Sequence, residues 1–344
     1  MTQRVLVTGH LGYLGTVLVP MLQAAGHEVV GLDAGFFSDC VLGPQPADLP
    51  GLGIDLRDVQ PGQLQGFDAV IHLAALSNDP LGALVPEVTH EINHHASVRL
   101  ALMAKEAGVS RFLYASTCSV YGAAGDELVD EEAALRPLTP YAVSKVRVED
   151  DVAALADTGF SPVFLRNATA FGFSPRLRAD IVLNNLVASA VLTGVVRVLS
   201  DGTPWRPLVH ARDIAAAFIT CLDVPASEIS CRAFNIGSER NNVTVADIAQ
   251  SVAVAVPGSE VLITGETGAD PRSYRVDFDR ARRELGFEAT VSVAQGAAEL
   301  ASAYLRYGLT AADLEQRFTR LARLAQLRDG GRLDKEMRHV EASV

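Results

Sequence analysis

Cysteine is scarce in this 344-residue chain, and its cysteines never pair in sequence. Cys40, Cys118, Cys221 and Cys231 form no CxxC step, and no histidine stands at zinc-binding spacing from them, so no metal site is expected. Such thiols fit a reducing compartment, and a cytoplasmic protein is expected. Positive charge is also in short supply: 29 Lys and Arg face 41 Asp and Glu, a net charge of −12. A nucleic-acid partner calls for a basic face, so none is expected, and an anionic substrate would need arginines gathered locally. Apolar runs long enough for a membrane span are missing, and no membrane partner is expected. The apolar run in MTQRVLVTGH is broken by glycine too soon for a secretory signal. Internal repeats and low-complexity segments are absent too. What is present is 49% apolar and 20% charged residues, in a chain long enough for one large α/β domain or two smaller ones.

The first half alternates β-branched runs with helical patterns. Strands are predicted at Arg4–Thr8, His27–Asp33, Ala69–Leu73, Arg111–Ser116 and Pro162–Arg166, with a poorly defined one before Asp55. Helices are predicted over Leu14–Ala25, Glu91–Gly108 and Tyr141–Ala156. This alternation implies parallel βαβ units, and the continuously apolar strands imply a sheet covered on both faces. The second half is less regular. Helices are predicted over Ala179–Leu192, Asp213–Leu222, Val243–Val256 and Val293–Tyr307, with extended segments at Val195–Leu199 and Ala233–Gly237. A charged helical tail, Ala311–His339, would cap the domain or lie across a partner subunit.

Gly9, Gly12 and Gly15 fall between the first strand and first helix, in VTGHLGYLG. Gly9 permits the tight turn, Gly12 lets backbone approach a pyrophosphate, and Gly15 lets helix pack on strand. The helix N-terminus beyond would then face the anion. The GxxGxxG spacing departs from the usual dinucleotide fingerprint, and glycines of this kind also serve ordinary turns. Asp33 follows at roughly 20 residues, where an acid accepts from the adenosine ribose hydroxyls and disfavours a 2′-phosphate. It would equally open a turn. Asp55, in Asp55-Leu56-Arg57-Asp58, either accepts from the adenine amino group or belongs to a surface loop.

Tyr141 and Lys145 lie four apart after Pro140, on one face of a predicted helix. An ammonium near a phenol favours the phenolate, which makes Tyr141 a usable acid or base. A bare YxxxK also describes an exposed helix face. Ser116 and Thr117 lie just beyond the strand RFLYAS, where ligands of open α/β sheets sit, although a Ser/Thr-rich turn reads the same way.

Taken together, these residues resemble the extended short-chain dehydrogenase/reductase family, its NAD-dependent epimerase/dehydratase group. The resemblance rests on TGHLGYLG, Asp33, DLRD, HLAAL, STCSVYG, PYAVSK with Glu149, DGTPWRPLVH with Asp213, and FNIG, in the family's order along nearly the whole chain. It implies a Rossmann doubly wound parallel sheet with a smaller mixed α/β substrate-binding domain. The Rossmann part would take residues 1–166 and about 209–237, the substrate part about 167–208 and 238–344. The implied catalytic set is Thr117, Tyr141 and Lys145, with Ser116 a lesser candidate for the hydroxyl role. The implied NAD contacts are Gly9, Leu11, Gly12, Tyr13, Leu14, Gly15, Asp33, Asp55, Leu56, Leu73, Ala74, Ala75, Asn93, Ser116, Tyr141 and Lys145. Those implied for a nucleotide-diphosphate sugar are Ser77, Thr117, Thr169, Asn184, Arg206 and Arg272, with guanidinium suited to phosphate. The run from Ser174 to Asp180, with Asn184 and Asn185, would line the substrate side or form an ordinary loop and helix cap. Relatives also imply a homodimer formed through the helices near 91–108 and 141–156.

Departures narrow the expected chemistry. Dehydratases of the family carry Asp-Glu after the catalytic threonine; here Cys118 and Ser119 stand there. The glutamate of the similar decarboxylases is absent from the same run. Thr169 replaces a frequent asparagine, and Ser77 a lysine found in some galactose epimerases. The resemblance therefore implies an epimerase acting by transient oxidation of a sugar carbon, C4 by preference. A nucleotide-sugar ketoreductase or dehydrogenase is the alternative, ahead of a 4,6-dehydratase, a decarboxylase or a non-catalytic NAD-binding protein.

Overall fold

The apolar runs of the first half assemble into one parallel sheet. A computed structural model describes residues 2–46, 48–77, 85–123, 127–266 and 273–340. The strands are β1 (Arg4–Thr8), β2 (Glu28–Leu32), β3 (Gly51–Leu52), β4 (Ala69–His72), β5 (Arg111–Thr117), β6 (Ser161–Asn167) and β7 (Ala233–Ile236). Their order is β7-β6-β5-β4-β1-β2-β3, every neighbour parallel. The chain moves outward from β1 to β3, then returns to β4 and moves the other way. Beyond the carboxyl ends of β1 and β4 the connections diverge, which opens a cleft at that edge.

The principal helices are α1 (Gly15–Ala24), α2 (Ala96–Glu106), α3 (Pro140–Ala153), α4 (Val182–Thr193), α5 (Ala211–Asp223), α6 (Val245–Ala255), α7 (Val293–Tyr307) and α8 (Arg320–Asp329). Strand alternation splits the apolar residues between two layers. Val5, Val7, Ile71, Leu113 and Val163 pack with Leu18 and Leu22 of α1 and Phe218 of α5. Leu6, Val70, Phe112 and Phe164 pack with Leu100 of α2 and Val148 and Val152 of α3. A separate core joins α4, α6 and α7 through Leu183, Val187, Ile248, Val252, Ala297 and Leu300.

The strands Thr169–Phe171, Trp205–His210 and Glu260–Ile263 were not expected, the helix expected from Ala179 begins at Val182, and three further elements depart from the sequence reading. The helix expected over Glu91–Gly108 begins at Pro86 and passes through a π-helical turn, Glu91–His95, before α2. The helix expected from Val243 starts at Val245, because Asn242–Thr244 pairs as a strand with Trp205–Pro207 and Thr244 caps the helix by a reciprocal bond with Asp247. The tail has only one regular helix, α8, after a π-helical turn at Asp313–Arg317.

That tail folds back on its own chain. Leu324, Leu327, Leu333 and Met337 bury against Leu76 and Ile92, with Phe36 and Phe37 packed alongside. Arg57 donates to the Glu336 and Met337 carbonyls at 2.8 and 3.3 Å, and Arg338 meets Asp58 at 2.7 Å. Among the described residues, no helix is long and apolar enough to cross a membrane.

Candidate active site

A cavity of about 640 Å³ opens at the divergence of β1 and β4. Gly9, Gly12, Tyr13, Leu14 and Gly15 form one wall. No side chain caps the start of α1, and its first turn holds no acid, so the positive end of the helix faces the cavity uncompensated. The glycines differ in what they tolerate. A Cβ on Gly15 would lie 2.3 Å from the Gly9 carbonyl, a backbone clash, whereas one on Gly12 would meet only that carbonyl at 3.1 Å. Gly15→Ala is therefore expected to lower the melting temperature. Gly12→Ala, whose Cβ needs the Gly9 carbonyl to give by a few tenths of an ångström, is expected to cost less stability than Gly15→Ala and to weaken dinucleotide binding; calorimetric titration and thermal unfolding separate the two.

Leu73, Ala74, Ala75 and Leu76 form the facing wall. Thr8 Oγ1 accepts from the Ala74 amide at 3.2 Å and lies 2.6 Å from His72 Nδ1, while His72 Nε2 lies 2.8 Å from Ser97 Oγ. Burial, helped by the Lys145 charge, pushes His72 down to about 3, so the ring stays neutral and serves both bonds. Asn93 does not border the cavity. It is fully buried and clamps Leu76 by accepting from its amide at 2.8 Å and donating to its carbonyl at 3.1 Å.

Asp33 borders the cavity just past β2; its carboxylate accepts from the Leu11 amide at 3.1 Å and the Gly35 amide at 2.7 Å. Leu11 itself lines a smaller neighbouring cavity instead. Asp55 and Leu56 border the main cavity. Arg57 grips Asp55 through Nε and Nη2 at 2.9 and 2.6 Å, which holds the carboxyl below its ordinary range against the opposing effect of burial.

Thr117, Tyr141 and Lys145 meet on the same cavity. Thr139 caps α3 by accepting from the Ala142 amide, and Pro140 occupies the first turn, so Tyr141 enters at the helix start. One turn on, Lys145 is 2% exposed, and its Nζ donates to the Ala115 carbonyl at 2.6 Å. Nζ stands 5.7 Å from the Tyr141 ring centre and 4.5 Å from that of Tyr114. Thr117 Oγ1 accepts from the Ser119 amide at 3.1 Å. Ser116, by contrast, directs its hydroxyl to Glu149. Glu149 is also ion-paired to Arg166 at 2.7 Å, both side chains buried. This pair locks α3 to β6 and so fixes Tyr141 and Lys145. Glu149→Leu should cost about 3–5 kcal/mol in denaturant unfolding by stranding Arg166, and adding Arg166→Met should recover most of it.

Ser77, Thr169 and Arg206 also border the cavity, as do Arg178, Asp180 and Asn185. Arg178 grips Asp180 at 3.0 and 3.2 Å and donates to the Ser77 carbonyl at 3.1 Å. Asn184 lies behind this layer, with its amide donating to the Arg178 carbonyl at 2.9 Å. Arg272 lies outside the described residues. Position 118 turns away from the cavity: Cys118 is fully buried and its thiol donates to the Arg166 carbonyl at 3.0 Å. Ser119 does border it. Among the described residues the lining carboxylates are Asp33, Asp55 and Asp180, and the lining cations are Lys145, Arg178, Arg206 and Arg320. An acidic protein thus gathers guanidinium groups where an anion would sit.

The NAD dependent epimerase/dehydratase family model matches residues 5–237. The chain belongs to that family. It is 30% identical over 308 residues to a UDP-glucose 4-epimerase of Mycolicibacterium smegmatis, spanning 86% of this chain and 96% of that one. It is 28% identical over 326 residues to a dTDP-glucose 4,6-dehydratase of Streptomyces griseus, spanning 89% and 95%. Among solved structures, MoeE5 in complex with UDP-glucuronic acid and NAD superposes with a TM-score of 0.76 at 31% identity, covering 88% of this chain and 99% of that one.

As a family member the chain is an NAD-dependent enzyme, and its residues fit that cofactor. The uncapped α1 start and the Cβ-free Gly12 on the cavity wall suit a pyrophosphate, and Asp33 suits a ribose diol. Asn167 adds a buried Oδ1 without a partner on the cavity wall. Sequence reasoning did not find Asn167, nor Phe36, Phe37 and Arg320. Phe36, Phe37 and Arg320 carry no motif, and only the fold brings them to the cavity.

Proposed function

We propose that the chain is a nucleotide-sugar 4-epimerase, interconverting epimers by oxidising the C4 hydroxyl carbon and reducing it again. The observation that carries this reading is the meeting of Thr117, Tyr141 and Lys145 on the glycine-turn cavity, while positions 118 and 119 offer no carboxylate there. A dehydratase needs an acid and a base to eliminate water, and this run supplies neither. The similarity to a UDP-glucose 4-epimerase supports the same choice.

Tyr141 takes the proton from the sugar hydroxyl and later returns it to the keto oxygen. Thr117 hydrogen-bonds that oxygen and holds it beside the phenol. Lys145, tied to the Ala115 carbonyl, places positive charge where phenolate develops. Arg206 and Arg178 stand on the side where the diphosphate and sugar would lie. When bound, NAD supplies reversible hydride acceptance. Leu73, Ala74 and Ala75 form an apolar wall that limits water near the reacting carbon. Leu102, exposed on α2, supports extending this reading to a homodimer through α2 and α3, which sedimentation would check.

The test is incubation of purified protein with UDP-, GDP- and TDP-sugars without added cofactor. The expected products are C4 epimers at equilibrium ratios. A 4-keto-6-deoxy product would identify a dehydratase. Turnover only with stoichiometric reduced cofactor would identify the ketoreductase.

A further inference from the structure

The charged tail supplies an observation that the reaction does not use. Thr319, Arg320 and Leu321, at the start of α8, border the main cavity. The start of this helix has no side-chain cap and no acid in its first turn. Its positive end therefore faces the same space as the positive end of α1. Arg320 is only 5% exposed; its Nη2 donates to the Arg176 carbonyl at 3.1 Å, and its Nη1 is buried without a partner. Its guanidinium lies 4.0 Å over the Phe37 ring. Among the described residues no carboxylate pairs with it: Asp180 is held by Arg178 and Asp39 by Arg323. Burial above all pushes it down to about 10; Arg178 and Arg176 add repulsion, and Asp180 pulls the other way. A buried cation beside other cations, one donor unused and a helix start alongside, is a site waiting for a multivalent anion.

Location selects the anion. Arg176, which accepts from Arg320 through its carbonyl, donates through Nε to the Leu11 carbonyl at 3.2 Å, within the glycine turn. Phe37 belongs to the loop that follows Asp33. These contacts tie Arg320 to residues that flank Asp33 and the glycine turn, while Arg178 and Asp180 also act on it. We propose that Arg320, carried on the C-terminal helix, binds the diphosphate of NAD together with the α1 glycine turn, making the tail part of the cofactor site. This goes beyond the sugar chemistry and does not depend on which sugar reacts.

The test compares the full-length wild type, Arg320→Met and Arg320→Lys after cofactor removal. Dissociation constants are measured for NADH, adenosine and UDP, with melting temperatures of the ligand-free proteins. Loss of one charge-assisted contact predicts NADH binding weakened about 10- to 100-fold in Arg320→Met, with partial recovery in Arg320→Lys. Adenosine and UDP should bind within about twofold of wild type. Ligand-free Arg320→Met should melt no lower than wild type, since an unsatisfied buried charge is gone. Unchanged NADH affinity overturns the proposal. So does an equal loss of adenosine affinity, which would mark a packing role, or a loss confined to UDP, which would move the arginine to the other diphosphate. An Arg320→Met protein that melts lower or does not fold would likewise make the residue structural and refute the anion site.

Discussion

Tyr141→Phe is expected to lower kcat by about a thousandfold while NAD and nucleotide-sugar binding stay within about twofold. The substitution removes one hydroxyl and keeps the ring against Lys145, whose Nζ stands 5.7 Å from the ring centre. The start of α3 is set by the Thr139 cap and by Pro140 in the first turn, both of which the substitution leaves in place. The lost step is the proton exchange with the sugar hydroxyl, for which Thr117 offers a hydrogen bond but no comparable acidity. Initial rates with the preferred sugar, alongside titrations of NAD and of the sugar nucleotide, measure this. A variant turning over at the wild-type rate would remove Tyr141 from the chemistry.

Lys145→Met should reduce turnover by at least about a hundredfold and yet make the ligand-free protein more stable. Lys145 is buried and, among the described residues, has only the Ala115 carbonyl as its hydrogen-bond acceptor; Glu149, the carboxylate that acts on it, is committed to Arg166. Burial outweighs the pull of Glu149 and pushes the lysine from 10.5 down to about 7. The sign follows from proton counting. Between about 7 and 10.5 the unfolded chain holds a proton that the folded chain has released, so this group makes wild-type stability rise with pH across that window. The slope it contributes is at most about 1.4 kcal/mol per pH unit. Below about 7 the folded protein carries the full cost of the buried charge, so the gain from Lys145→Met is largest there and fades towards pH 10.5. Denaturant unfolding of both proteins at pH 6, 8 and 10 tests this. A methionine variant less stable than wild type throughout would show that the ammonium holds the fold together.

The sheet was legible because its strands are short, apolar and β-branched, and a parallel sheet covered on both faces demands that pattern. Val5, Val7 and Leu6 divide between the two layers as alternation requires. Tyr141, Lys145 and Thr117 were legible because their spacing and strand-end position place them before any coordinates are known. Asn93 shows where motif reading runs short. Its polar side chain looks like a ligand in sequence, yet it stitches the backbone at Leu76 behind the cavity wall. Ser116 differs: it does border the cavity, but its hydroxyl goes to Glu149, one turn beyond Lys145, a partner it meets only when α3 docks on β5. The tail was the hardest part. Its charged pattern allowed either its own domain or a partner subunit, and the choice depended on long-range packing of Leu324 and Leu327 against Leu76 and Ile92. No local spacing encodes that contact, nor the arrival of Arg320 at the cavity.

Isotope tracing at the reacting carbon tests the central claim most directly. A nucleotide sugar carrying deuterium on C4 is incubated in ordinary water with the protein and its bound cofactor, and the epimer is isolated. If the phenol moves only the hydroxyl proton while the carbon-bound hydrogen shuttles through the cofactor, the epimer keeps its deuterium on C4. Replacement of that deuterium by solvent hydrogen would contradict the account.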